Sequence, residues 1–143
     1  MSDAQASEVA KVATLMADLD LCMLTTVARD GTLHSRPMSN NGEVEFDGSL
    51  WFFTDDATRK VQEIEQNPRV SVSFAAPDRG LWLALEGRAE IVRDDDLKEK
   101  LWLTELERWF AHGPDDDAVV LIRVRAERAE HWGSAGDGVV ELG

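Results

Sequence analysis

Two Asp-Gly pairs, Asp30-Gly31 and Asp47-Gly48, constrain this chain most, because each falls between apolar runs where a strand must reverse. Asp-Gly suits the tight turn of a hairpin, with the glycine free to take a positive φ. The first pair separates an apolar run, Leu21 to Val27, from a returning strand over Leu33 to Met38. The second separates Val44-Glu45-Phe46 from Leu50-Trp51-Phe52-Phe53, predicting a second hairpin. Val70 to Phe74 alternates as a half-exposed strand does. Leu81 to Val92 is a longer strand in which Gly87 predicts a bulge or bend, and a last strand runs from Val119 to about Val124.

Helices fall between these strands. Residues 4–19 place Val9, Val12, Ala13, Met16 and Leu19 at helical spacing. A second helix follows Asp55 and Asp56, which supply caps and negative charge; Val61 and Ile64 give its buried stripe, and Asn67-Pro68 ends it. Asp94-Asp95-Asp96 opens a third, with Leu97, Leu101, Leu106 and Phe110 on one face. The tail, residues 133–143, is Gly-rich and expected to be loose. Strands joined mostly by tight turns, without strand-helix alternation, predict one domain over residues 1–143. Its class is α+β, mainly antiparallel: a barrel of about six strands with helices at its ends.

Charge narrows the partners. The chain has 28 acidic and 15 basic residues, a net charge of -13, which argues against a nucleic-acid backbone or an anionic membrane surface. A small anion needs only a local positive cluster and is not excluded. No apolar run is long enough to cross a bilayer, and the N-terminus has no signal-peptide pattern. A single cysteine, Cys22, is compatible with a reducing cytoplasm and sits among apolar neighbours as a core residue does.

Familiar catalytic patterns are missing. The scattered histidines and lone cysteine give no zinc pattern, and the Asp triplets lack the spaced ligands of a calcium loop, so no metal site is expected. There is no nucleophile elbow and no dinucleotide fingerprint. Two segments remain. Arg36-Pro37-Met38-Ser39 lies at a strand end, and Phe53-Thr54 is followed by Thr58-Arg59-Lys60 at the first turn of a helix. A helix start with a hydroxyl, a guanidinium and an ammonium makes a phosphate site, and Arg36 supplies a second jaw if its strand lies alongside. Spacing alone fits equally well a solvated helix on which Arg59 and Lys60 pair with Glu63 and Glu65. Asp55 and Asp56 must point away from any anion held there.

In order and spacing, "DGTLHSRPM", "GSLWFFTDDATRKVQEIEQNPRVSVSF", "LEGRAEIVRD", "LWLTELERWFAHGPDDDAVVLIRV" and "AEHWG" resemble the general stress protein branch of the pyridoxamine 5′-phosphate oxidase-like flavin-binding proteins. The resemblance spans about residues 15–132 and implies a six-stranded Greek-key split barrel. It further implies a homodimer in the bacterial cytoplasm with FMN at each of two interface sites. By position, Arg36, Thr58, Arg59 and Lys60 match the phosphate grip, and Pro37, Met38 and Ser39 match backbone along the ring system. Phe53 and Thr54 match the second strand's contacts. Trp82 falls where the oxidases carry a glutamine supplied by the other subunit, and Trp132 matches a tryptophan flanking the flavin from that subunit.

Two departures bear on activity. Asn41 stands where the oxidases carry a lysine, and the residues after Trp132 replace a segment that holds pyridoxal phosphate. The expectation is a flavin-dependent redox protein without vitamin B6 oxidase activity, no acid or base being assigned. A deazaflavin (F420) reductase and a cofactor-free interaction module stay open beside it, as does a purely flavin-carrying role.

Overall fold

The computed structural model describes residues 2–40, 45–134 and 136–143. Its first helix, α1 (Asp3–Met16), starts in a capping box: Gln5 N–H donates to Ser2 Oγ at 3.1 Å, and Ser2 N–H donates to Gln5 Oε1 at 3.0 Å. These bonds satisfy donors that a helix start leaves free. The helix ends at Met16 rather than residue 19, because the chain turns through Asp18 at φ 67°. Val12 and Met16 carry its buried stripe into the core.

Among the described residues, seven antiparallel strands form one sheet. Along the chain they are β1 (Leu21–Val27), β2 (Leu33–Ser39), β3 (Ser49–Asp55), β4 (Arg69–Ala76), β5 (Leu81–Val92), β6 (Val119–Gly133) and β7 (Gly138–Glu141). Their order is β2-β1-β4-β5-β6-β3, with β7 alongside the far end of β6. The curled sheet is a split barrel with helices around it, the α+β class its sequence predicts. Alternation supplies the core: Cys22 and Leu24 from β1, Val72 and Phe74 from β4, Leu83 and Leu85 from β5, and Ile122 and Val124 from β6 all point inward.

The first hairpin forms as read, with Gly31 at φ 87° and Thr32 N–H donating to Asp30 Oδ1 at 3.1 Å. The second does not. Strand β3 pairs with β6 along its whole length, while Glu45 and Phe46 lie outside any strand and Val44 lies outside the described residues. Phe46 instead plugs the core. The predicted bulge at Gly87 is present: Glu86 faces Arg128 and Gly87 faces Ala126, leaving Glu127 as the extra residue. A Cβ at Gly87 would meet the Arg125 carbonyl oxygen at 2.1 Å, so only glycine fits.

Three expectations at the chain's second half are corrected. The third helix, α3 (Asp95–Leu101), stops early, and a 3-10 turn (Thr104–Arg108) carries Leu106 onward. Leu97, Leu101, Leu106 and Phe110 still share one apolar cluster, packed on Phe53, Val119 and Leu121. Strand β6 continues well past Val124, because the bulge lets it bend and keep pairing with β5. The tail is not loose throughout: β7 pairs with β6 and buries Val140 to 5% exposure.

Candidate functional site

The main path of the sheet ends in β2 and β3, and both border one cleft of about 510 Å³. Pro37, Met38 and Ser39 line it from β2, and Phe53 and Thr54 from β3. Proline is at home on such an edge, where a missing N–H costs no ladder bond. Thr58 and Lys60, at the start of helix α2 (Arg59–Gln66), close one end. Leu103, Leu106, Trp109 and Phe110 form an apolar wall that the sequence does not assign, beside Trp51. Trp51, Phe53 and Asp55 alternate along β3 and Pro37 and Ser39 along β2, so side chains of the two end strands line the cleft, and an end strand also offers unpaired backbone donors and acceptors.

The phosphate grip expected of four residues is divided in two. Thr58 is the N-cap of α2 but makes no side-chain cap bond; its Oγ1 donates to Asp55 C=O at 2.8 Å. The first-turn N–H groups are thus not satisfied by a cap. Among the described residues Lys60 makes no hydrogen bond or salt bridge. Burial lowers its pKa, the nearby charge of Arg36 lowers it further, and Asp55 partly offsets both. Of the two aspartates, Asp56 turns away to Arg93, whereas Asp55 stays on the cleft wall and its Oδ1 accepts from Ala57 N–H at 2.8 Å. Neither caps α2, contrary to the sequence expectation.

Arg36 and Arg59 belong to a second group, beside the cleft and not lining it. Arg36 pairs across the hairpin with core residue Leu24, so its side chain points inward. Its Nη1 donates to Thr26 Oγ1 at 2.7 Å and its Nη2 to Glu63 Oε1 at 3.2 Å. Glu63, on α2, is only 5% exposed. It also accepts from Thr26 Oγ1 at 2.8 Å and pairs with Arg59 Nε at 3.3 Å. The i,i+4 pairing read for Arg59 therefore holds, although its partner is buried.

His34 completes this network. Its Nδ1 lies 2.8 Å from Glu63 Oε2, and its Nε2 lies 3.0 Å from Arg59 Nη2. A guanidinium only donates, so Nε2 accepts and Nδ1–H donates to Glu63, which makes the ring neutral in this arrangement. Burial works to raise the Glu63 pKa. The hydrogen bonds from Thr26 and His34, with the charge of Arg59, outweigh it and hold the carboxyl below its usual value. Sequence reading named Glu63 only as a solvated partner of Arg59 and missed Thr26 and His34, since only the packing of α2 against the sheet brings the three together.

Trp82 and Trp132 lie elsewhere. They are cross-strand partners on the outer sheet face, 45% and 39% exposed, in a second apolar hollow of about 400 Å³. Leu21 and Pro37 line both hollows, so the two are contiguous. Cys22 is inert where it sits: burial, with Asp20 adding, pushes its thiol up to about 12. Asn41 lies outside the described residues. No cluster able to hold a metal ion occurs among the described residues, nor any helix long and apolar enough to cross a membrane.

A barrel split between two end strands, with helices around it, defines the split-barrel class. Within it, this chain belongs to the family described as pyridoxamine 5′-phosphate oxidase like, whose profile matches residues 7–142. It is 34% identical over 108 residues to General stress protein 26 of Bacillus subtilis, covering 73% of each chain. The solved general stress FMN/FAD binding protein of Xanthomonas citri superposes with a TM-score of 0.74 at 25% identity, covering 89% of each chain. A solved F420 reductase superposes with a TM-score of 0.62 at 27% identity, covering 81% of this chain and 93% of its own.

Proposed function

We propose that the cleft binds FMN and that the protein is a flavin-dependent redox protein of the general stress branch. One observation carries this reading: both end strands of the sheet's main path line a single cleft whose end holds a helix start without a side-chain cap and a lysine with no hydrogen bond or salt bridge among the described residues. A planar ring fits between two strand edges, where backbone groups can meet its polar rim and aromatic side chains its apolar end. A phosphate fits the α2 N-terminus, where Lys60, Thr58 and free N–H groups converge. The cleft volume of about 510 Å³ lies within the range of roughly 300–1,000 Å³ typical of cofactor sites. The Xanthomonas citri relative supports the choice of a flavin.

When bound, a flavin supplies two-electron chemistry that side chains cannot. The chain's own part is to hold and shield it. Lys60 and the α2 start fix the phosphate, the β2 and β3 edges orient the ring, and the Leu103–Phe110 wall excludes water from one side. Vitamin B6 phosphate esters are not substrates on this reading, since residues 133–143 contain no arginine, lysine or histidine to grip a second phosphate.

A second copy of the chain completes the site. The outer face around Trp82, Trp132, Leu21 and Met23 is exposed and apolar, a surface that a symmetric partner covers. Because Leu21 and Pro37 belong to both hollows, that partner's tryptophan pair would come to rest beside the cleft. We infer a cytoplasmic location, which a single free cysteine is compatible with.

The test is spectroscopic. Purified protein is saturated with FMN or with F420 in parallel, freed of excess and scanned. Retained FMN absorbance with little retained F420 supports the reading. Preferential retention of F420 makes the deazaflavin reductase the better account, and retention of neither leaves the cofactor-free module.

A further inference from the structure

Glu63 is a carboxylate at 5% exposure on the underside of α2, and it collects donors from three elements. Thr26 comes from β1, His34 and Arg36 from β2, and Arg59 from α2 itself. Two of those donors are the arginines that the sequence assigns to a phosphate. A half-buried guanidinium such as Arg36, at 22% side-chain exposure, needs a counter-anion near it whether or not a ligand is bound. Arg36 is also close enough to Lys60 for its charge to be felt there, so an anion on Lys60 lies within its field. Guanidinium carries five N–H donors, and the bonds Arg36 makes occupy only Nη1 and Nη2.

We propose that Glu63 is the protein's internal stand-in for the ligand phosphate: a positioning residue that holds Arg36 and Arg59 and so limits how strongly the cleft selects phosphorylated over unphosphorylated flavin. This rests on the reading that the cleft takes FMN. Glu63 keeps the empty site folded by compensating the buried arginine, and it competes with the phosphate for the same donors. Removing its charge frees Arg36 to turn to the phosphate. Specificity for the phosphate therefore rises when the anion next to it is lost, while contacts to the ring are unaffected.

The experiment measures dissociation constants for FMN and riboflavin, which differ only in the phosphate, on wild-type protein and on E63Q. Their ratio isolates the phosphate from the ring, and a general loosening of the fold does not raise it. The expected result is a ratio about tenfold larger in E63Q, the worth of one added charge-assisted hydrogen bond. The gain should vanish in E63Q/R36Q. Should E63Q not fold, E63D makes the same comparison, its shorter side chain giving a smaller gain of the same sign. An unchanged ratio overturns the proposal, and a smaller one does so by assigning Glu63 to aiming Arg36 at the phosphate. Wild-type protein that binds neither flavin overturns the FMN reading and this proposal together; one that prefers FMN with E63Q unaltered overturns this proposal alone.

Discussion

Lys60 and Glu63 sit one helical turn apart on α2 and do opposite things with charge. Lys60 carries a positive charge that burial and Arg36 disfavour, so it gains from any anion that reaches it. Replacing it with methionine should weaken FMN binding by about tenfold or more, with riboflavin little affected, as read by titration of flavin fluorescence. The depressed lysine also sets a pH signature. Preference for FMN over riboflavin should decline on the alkaline side, beginning below the usual lysine value of 10.5. Glu63 acts at the other end of the scale. Its folded-state pKa is lowered, so its contribution to stability is fully present above the usual value of 4.5 and is lost as pH falls through the folded value. Urea melts between neutral and acid pH should show a shallower acid decline in E63Q than in wild type.

At the scale of elements, local pattern is a guide wherever the partner is a sequence neighbour. The Asp30-Gly31 hairpin and the Asn67-Pro68 stop of α2 were legible because turn chemistry acts over a few residues. Gly87 was legible as a bulge, and it yields a direct test. Gly87→Ala places a methyl 2.1 Å from the Arg125 carbonyl oxygen, forcing backbone to move. A loss of about 1–3 kcal/mol in urea denaturation is expected. What pattern did not reveal is long-range choice. Asp47-Gly48 looked like a second hairpin, yet β3 pairs with β6, some seventy residues away (Ser49 opposite Arg125). Alternation around Phe46 fits a strand and a core plug alike. In the candidate site, Lys60, Thr58 and the β2 and β3 residues were readable, because they sit at element ends. The capture of Arg36 and Arg59 by Glu63 was not, since an i,i+4 pair reads the same whether its acid faces water or two other strands.

The whole molecule leaves one sheet face incomplete. Trp82 and Trp132 stand side by side on it, with Leu21 at 71% exposure nearby, and the hollow they form runs into the cleft. The homodimer proposed above would cover this surface. Sedimentation equilibrium should give a mass near twice the 15.9 kDa of one chain, and the W82D/W132D variant should shift it toward the monomer. Flavin affinity should fall with dimer strength if each subunit helps to cover its partner's cleft.

In the proposed function, the split between β2 and β3 holds a flavin by its phosphate at Lys60. Equilibrium dialysis of wild-type and K60M protein against FMN tests it most directly. The account predicts one FMN bound per chain in the wild type and about tenfold or greater weakening in K60M, with circular dichroism unchanged. Equal FMN binding by the two proteins, or none by the folded wild type, would contradict it.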